Sequence, residues 1–263
     1  MILMLKAKDI LILCVVLGFA FFLFGTVTRE FVVQREEVMV SQDKLVPIYK
    51  VDREDKKIAI TLDGMWGAER TPEILEIFEK HDLNITFFFG GNWLEENPQL
   101  IKEMVAKGHE IGNHSYTHPH MASLTKEEIK QELNQTEELI KKLTGEGSRL
   151  FRPPFGEYNN LLIETCEELG YYPVQWSIDS HDWMDVSSDY IVNRVLDNVG
   201  PGDIILMHND GEKTPKSLSR LIPKLKEQGY EIVPLSELIY TEDYYIEKHT
   251  GLQKKIERGH EDG

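Results

Sequence analysis

The 263-residue sequence predicts an α/β fold: a parallel sheet closed into a (β/α) barrel and preceded by one N-terminal transmembrane helix. Three observations point there. Short apolar runs alternate with amphipathic helical stretches between residues 56 and 240, the pattern of repeated strand–helix units. Ionisable residues stand at the carboxyl ends of several different runs, where a barrel gathers its reactive groups. An uncharged apolar stretch, ILILCVVLGFAFFLFGTV at 10–27, precedes all of them.

That stretch would reach roughly 27 Å as a helix at about 1.5 Å per residue, close to a bilayer's hydrocarbon thickness. Lys6 and Lys8 before it place the N-terminus in the cytoplasm and the remainder outside the membrane. No small-residue cleavage site follows, so residues 1–28 are expected to be a cytoplasmic stub and retained anchor. Residues 29–55 are mixed and charged and read as a stalk. The strand runs are then KKIAITLD (near 57–64), ITFFFGG (85–91), HEIGNH (109–114), LFRPP (150–154), PVQWSID (173–179), DIILMH (203–208) and EIVPL (231–235). The clearest helix runs over 125–143, with Ile129, Leu133, Thr136, Ile140 and Leu143 on one face. Thr125 and Glu128 form a capping box at its start, and Gly145 follows its end. Pro72, Pro98 and Pro215 mark other helix starts, where a missing N–H costs nothing. A folded domain over 56–240 and a charged tail over 241–263 complete the expected organisation.

The formal net charge of −16 argues against nucleic acid or an anionic membrane surface as partner, since both favour basic faces. Only Cys14 and Cys166 are present, one in the apolar run and one in a helical pattern. They do not pair, so the domain holds together by its core, and metal–thiolate chemistry is excluded.

Nine histidines are present, and three fall within NHSYTHPH at 113–120. His114 and His118 have a spacing that suits metal ligation, but Gly112 and Pro119 place them on a loop after a strand. Asp63 leaves the sheet at the end of its run. Arg152 in RPPFG offers a planar fork able to grip a carboxylate in bidentate fashion. DSHDW supplies Asp179, Asp182 and an aromatic wall in Trp183. His208 ends IILMH, and an imidazole beside an acid titrates near neutral pH and serves as a proton donor. Singly, each has an ordinary structural reading: a helix cap, a polar turn, a satisfied strand-end imidazole. Five such residues on five strand ends form a constellation.

In order and rough spacing, TLDGMWG, HSYTH, RPPFG, DSHDW and LMH resemble the polysaccharide deacetylases of carbohydrate esterase family 4, the NodB-homology domain, over residues 57–238. The sporulation-associated branch is the most similar. The resemblance implies a distorted (β/α) barrel of parallel strands that removes N-acetyl groups from an N-acetylated polysaccharide, with peptidoglycan favoured over chitin-type oligosaccharides. It implies Asp63 as catalytic base, Arg152 as the residue that orients it, and His114 and His118 as ligands of a divalent ion, usually zinc. It further implies His208 as general acid with Leu206 packed beside it, Asp182 tuning that acid, and Trp183 walling the substrate groove. Phe155 stands where the family has Tyr, its backbone N–H helping to hold the oxyanion.

One position departs from the family pattern. Gly64 stands where a second aspartate would be the third metal ligand, and catalytic zinc usually has three protein ligands. The alternative expectation is therefore a membrane-anchored glycan-binding protein of the same fold with little turnover.

Overall fold

The computed structural model describes residues 44–256. The run at 10–27 lies outside them, and among the described residues no helix is long and apolar enough to cross a membrane. In chain order the strands are β1 (Lys50–Val51), β2 (Lys57–Gly64), β3 (Thr86–Phe89), β4 (Glu110–Asn113), β5 (Leu150–Phe151), β6 (Tyr172–Pro173), β7 (Ile178–Asp179), β8 (Ile204–His208), β9 (Glu231–Ile232), β10 (Tyr244–Ile246) and β11 (Leu252–Lys255). The helices are α1 (Thr71–Lys80), α2 (Gly91–Glu96), α3 (Pro98–Ala106), α4 (Lys126–Thr144), α5 (Asn160–Glu168), α6 (Ser188–Leu196), α7 (Thr214–Glu227) and α8 (Leu235–Leu238).

The principal sheet has the order β6-β5-β4-β3-β2-β8-β7, with β9 added against the start of β2, and its pairings are parallel. Its two edge strands, β6 and β7, are consecutive in sequence. The chain between them crosses the opening of a curled sheet: Val174 N–H donates to Phe151 O on one side, and Ser177 N–H to Ile204 O on the other. The run PVQWSID, expected as one strand, is split for this reason. The result is a barrel closed by a crossing segment instead of a full strand pair.

Side-chain alternation along β2 creates two layers. Ile58, Ile60 and Leu62 share an apolar cluster with Ile74 and Phe78 of α1 and Leu218 and Leu221 of α7. Ala59 lies in a separate cluster with Ile48, Phe88, Val174 and Ile204, while Thr61 and Asp63 point to a buried arginine in the barrel interior. Helix α4 opens on the expected capping box, Thr125 with Glu128, and stops at Gly145 in the left-handed conformation at φ 87°.

Both expected boundaries move outward. Ile48 and Val51, placed in the stalk by composition, are fully buried, and β1 pairs with β11, which pairs with β10 from the expected tail. Charge misled because these strands turn one face outward. Lys254 meets Glu247 there, while Gln253 is buried against the backbone of Tyr240. Truncation after Tyr240 removes β11, the strand that pairs with Lys50 and Val51 beside Ile48. Burial of each such side chain contributes roughly 1.5–3 kcal/mol, so the melting temperature should fall by about 10 °C. Thermal circular dichroism checks this, and an unchanged transition would show the small sheet to be dispensable.

Candidate active site

The ionisable strand ends converge. A cavity of about 440 Å³ is lined by Asp63, His114, His118, His208, Phe155, Trp183 and Leu206, together with Gly64, Trp66, Trp176, Asp179 and Asp210. A second cavity of about 520 Å³ lies at the opposite ends of the strands, between Glu110, Arg149 and Tyr172, away from this cluster.

Asp63 and His208 are register partners on β2 and β8, so base and acid candidates stand side by side on neighbouring strands. Asp63 is buried, and its Oδ1 accepts from Arg152 Nη1 at 2.7 Å. Arg152 follows β5 and is wholly buried. The bidentate grip expected of it is not formed. Nη1 also donates to Thr61 Oγ1 (2.8 Å), Nη2 to Gln175 O (3.0 Å) and Nε to Val174 O (3.4 Å). Its other bonds thus go to Thr61 on β2 and to the closing segment, and Asp63 Oδ2 is left facing His114 Nε2 at 3.8 Å. Burial pushes the guanidinium pKa down, against the pull of Asp63.

The acid side is built around Asp182, buried in the loop after β7. Its Oδ1 lies 2.8 Å from His208 Nδ1, and its Oδ2 accepts from the His208 backbone N–H (2.8 Å) and Thr214 Oγ1 (2.5 Å). One carboxylate therefore fixes the ring, backbone and neighbouring helix start, and turns Nε2 away from itself. Burial alone would lower the His208 pKa. The hydrogen bond and charge of Asp182, with the charges of Asp63 and Asp210, outweigh it, and the net shift is upward.

His114 and His118 have the opposite character. Burial lowers the pKa of both, that of His118 to about 4, so both rings are neutral near pH 7. His114 Nδ1 lies 2.7 Å from the Arg152 carbonyl, an acceptor only, so it carries the proton and Nε2 keeps its lone pair. The ring centroids are 4.9 Å apart, and His118 Nδ1 is buried without a hydrogen-bond partner. Two neutral imidazoles, one with a free lone pair and one with an unused ring nitrogen, fit a divalent ion. Among the described residues no group of three or more His, Cys, Asp or Glu side chains is disposed to hold one. His120 stands apart, 2.8 Å from Glu157 and stacked on Phe155.

The histidine loop is held from α4. Glu132 accepts from the backbone N–H groups of Tyr116 (2.7 Å) and Thr117 (2.8 Å) and from Thr117 Oγ1 (2.8 Å), and Ser115 Oγ accepts from His118 N. Ser115, His118, Phe155 and His181 all adopt positive φ, between 58° and 64°. Strain of this kind at non-glycine residues collects at functional sites. Asp179 caps the His181 N–H at 2.8 Å and accepts Arg194 Nε on its carbonyl, a supporting role.

Sequence reasoning missed Trp66, Glu132, Thr214 and Asp210. Trp66 is 62% exposed and meets His118 edge-on at 5.0 Å, so with Phe155 (54%) and Trp183 (59%) it gives the cavity an aromatic rim. Burial raises the Asp210 pKa against the pull of His208. The exposed tryptophan in TLDGMWG was the one available signal. Glu132 sits on a helix whose periodicity hid its function.

Comparison with known proteins agrees with this geometry. Residues 50–174 match the family model for polysaccharide deacetylase. The chain is 37% identical to YlxY of Bacillus subtilis over 73% of its length, spanning 60% of that protein and so less than two thirds of it. It is 35% identical to a peptidoglycan-N-acetylglucosamine deacetylase of Bacillus cereus, covering 70% of this chain and 69% of the other. Among solved structures, a carbohydrate esterase family 4 pseudoenzyme from Bacillus anthracis superposes with a TM-score of 0.71 at 34% identity, covering 80% of this chain and 70% of that one. A mutant of that pseudoenzyme with restored enzymatic activity gives the same TM-score at 36% identity, covering 80% and 73%. The chain thus belongs to the polysaccharide deacetylase family, carbohydrate esterase family 4.

Proposed function

We propose that this protein removes N-acetyl groups from an N-acetylated glycan, with peptidoglycan the favoured substrate, and that it does so with a divalent ion, zinc, held by His114 and His118. The observation that carries the reading is the pairing of Asp63–Arg152 with His208–Asp182 at one register position of neighbouring strands. The ion, when bound, supplies Lewis acidity, which an amide carbonyl needs as a poor electrophile. Asp63 takes the proton of the attacking water on Oδ2, because Oδ1 is engaged by Arg152. His208 delivers a proton from Nε2 to the departing amine, because Asp182 retains the one on Nδ1. Trp66, Phe155 and Trp183 offer flat apolar faces to sugar rings. The run at 10–27 would anchor the chain so that this site meets the cell wall outside the membrane.

A second reading, a glycan-binding protein with little turnover, is favoured by the two-histidine site and by the likeness to a pseudoenzyme. Acetate release from purified peptidoglycan and chitooligosaccharides separates the two. Turnover with Asp63→Asn inactive and zinc affinity within a few-fold of wild type supports the enzyme. Glycan binding without acetate release supports the binder, and loss of zinc by Asp63→Asn would make Asp63 a ligand instead of the base.

His208 must be protonated to act, and its raised pKa keeps it so further into the alkaline range. Activity is therefore lost as pH rises through that pKa. Asp182→Asn removes the raising interaction, so the alkaline limb of kcat/KM should move to lower pH. A limb that stays in place would remove Asp182 from this role.

Glu132→Ala frees the loop that presents both histidines without touching either ring. Zinc affinity by calorimetry should fall by roughly 10–100-fold, the usual consequence of losing a group that orients ligands. Unaltered affinity would show that the loop is set by its own backbone.

A further inference from the structure

Gly64 lines the cavity beside the two histidines, yet its neighbours belong to the helix layer. It is register partner to Phe89 on β3, and it follows Leu62 in the outward-facing series of β2. A methyl group placed on Gly64 would overlap Phe89 Cε1 and lie 2.5 Å from Cδ1 and 2.8 Å from Asn209 Oδ1. Carbon atoms pack at about 3.5–4.0 Å, so the ring already fills the space.

The ring has no easy retreat. Phe89 is fully buried and sandwiched between Trp93, parallel at 3.9 Å between centroids, and Phe87, parallel at 5.6 Å. Trp93 is fixed in turn by its Nε1–H, which donates to Gly67 O at 2.7 Å. On the other flank Asn209 is tied through Nδ2 to Gly67 O (3.0 Å) and Thr71 Oγ1 (3.2 Å), and its Oδ1 is buried without a partner. Close-packed interiors do not absorb an added group at such a place without rearrangement.

We propose that Phe89 sets the ligand number of the metal site, because its locked ring occupies the volume of any side chain at position 64. A third ligand can then enter there only if position 89 is reduced at the same time. Gly64 is thus one half of a steric pair, and the two-histidine site is stable against a single substitution. The inference rests on the two-histidine metal reading above for its zinc arm, and on packing alone for its stability arm.

The test compares wild type with Gly64→Asp, Phe89→Val and the double variant, by thermal melting and by zinc calorimetry on metal-free protein, with His114→Ala as control. Gly64→Asp alone should melt lower and bind zinc no tighter than wild type. The double variant should melt above Gly64→Asp, a non-additive rescue, and bind zinc at least about 10-fold tighter than wild type. If Gly64→Asp does not fold, Gly64→Ala with and without Phe89→Val reads the same overlap by melting alone. Additive losses, rescue of melting without tighter zinc, or tighter zinc from Gly64→Asp alone would each overturn the proposal. Acetate release is not used, so a failed deacetylase reading and a failed steric pair give different results.

Discussion

The buried ion pair between Arg152 and Asp63 is the constraint on which the site depends. Arg152 is entirely removed from solvent, with its guanidinium 4.2 Å above the Phe88 ring and 5.7 Å from Trp176. A charge in such a place persists only when it is paired and hydrogen-bonded. Four of the five guanidinium N–H groups meet that demand, reaching Thr61 and Asp63 on β2 and the carbonyls of Val174 and Gln175 on the closing segment. Those two parts of the chain are not sheet neighbours, so one side chain both braces the barrel and fixes the Asp63 carboxylate. Lysine, with three donors on a single nitrogen, has no fork with which to span them.

From this anchor the same residue type is divided into two chemical states. His114 and His118 lie behind the pair, where burial dominates and keeps them neutral. His208 lies on the next strand and is a quarter exposed, and there Asp182 holds its Nδ1 and raises its pKa. Desolvation acts downward on all three rings, and the presence or absence of a hydrogen-bonded carboxylate separates the raised pKa of His208 from the lowered pKa of the other two. Asp63 lies between these environments without a direct bond to either kind of ring, which leaves its second oxygen available.

Much of this was legible in the sequence because it sits at strand ends. Asp63, Asp179 and His208 each close an apolar run, and the 19-residue helix α4 announced itself by capping box and periodicity. Legibility failed where pairing is short or distant. Strands of two residues, such as β5, β6 and β7, carry no period of their own. The crossing segment looks like a strand because it is apolar, yet its hydrogen bonds go to two separate strands. The partnership of β1 with β11 joins segments about two hundred residues apart, where charge pattern gives no guidance. Glu132 and Thr214 serve the site through backbone and carboxylate contacts, and neither role leaves a mark in one sequence.

The alternation along β2 also sets position 64 apart from the Asp63–Arg152 pair. Thr61 and Asp63 face the barrel interior with Arg152, while Ile60, Leu62 and position 64 face the helix layer with Phe87, Phe89 and Trp93. A side chain at position 64 would therefore draw on a different packing layer from the one that holds Asp63. The aromatic rim of Trp66, Phe155 and Trp183 belongs to loops outside both layers. Change in the helix layer can alter position 64 while leaving the Asp63–Arg152 and His208–Asp182 pairs and the aromatic rim in place, since side chains on opposite faces of a strand share few contacts. A pseudoenzyme, and a mutant of it with restored activity, match this chain at the same TM-score. That is the outcome expected when the groups that decide turnover are few, local and separable from the groups that make the fold.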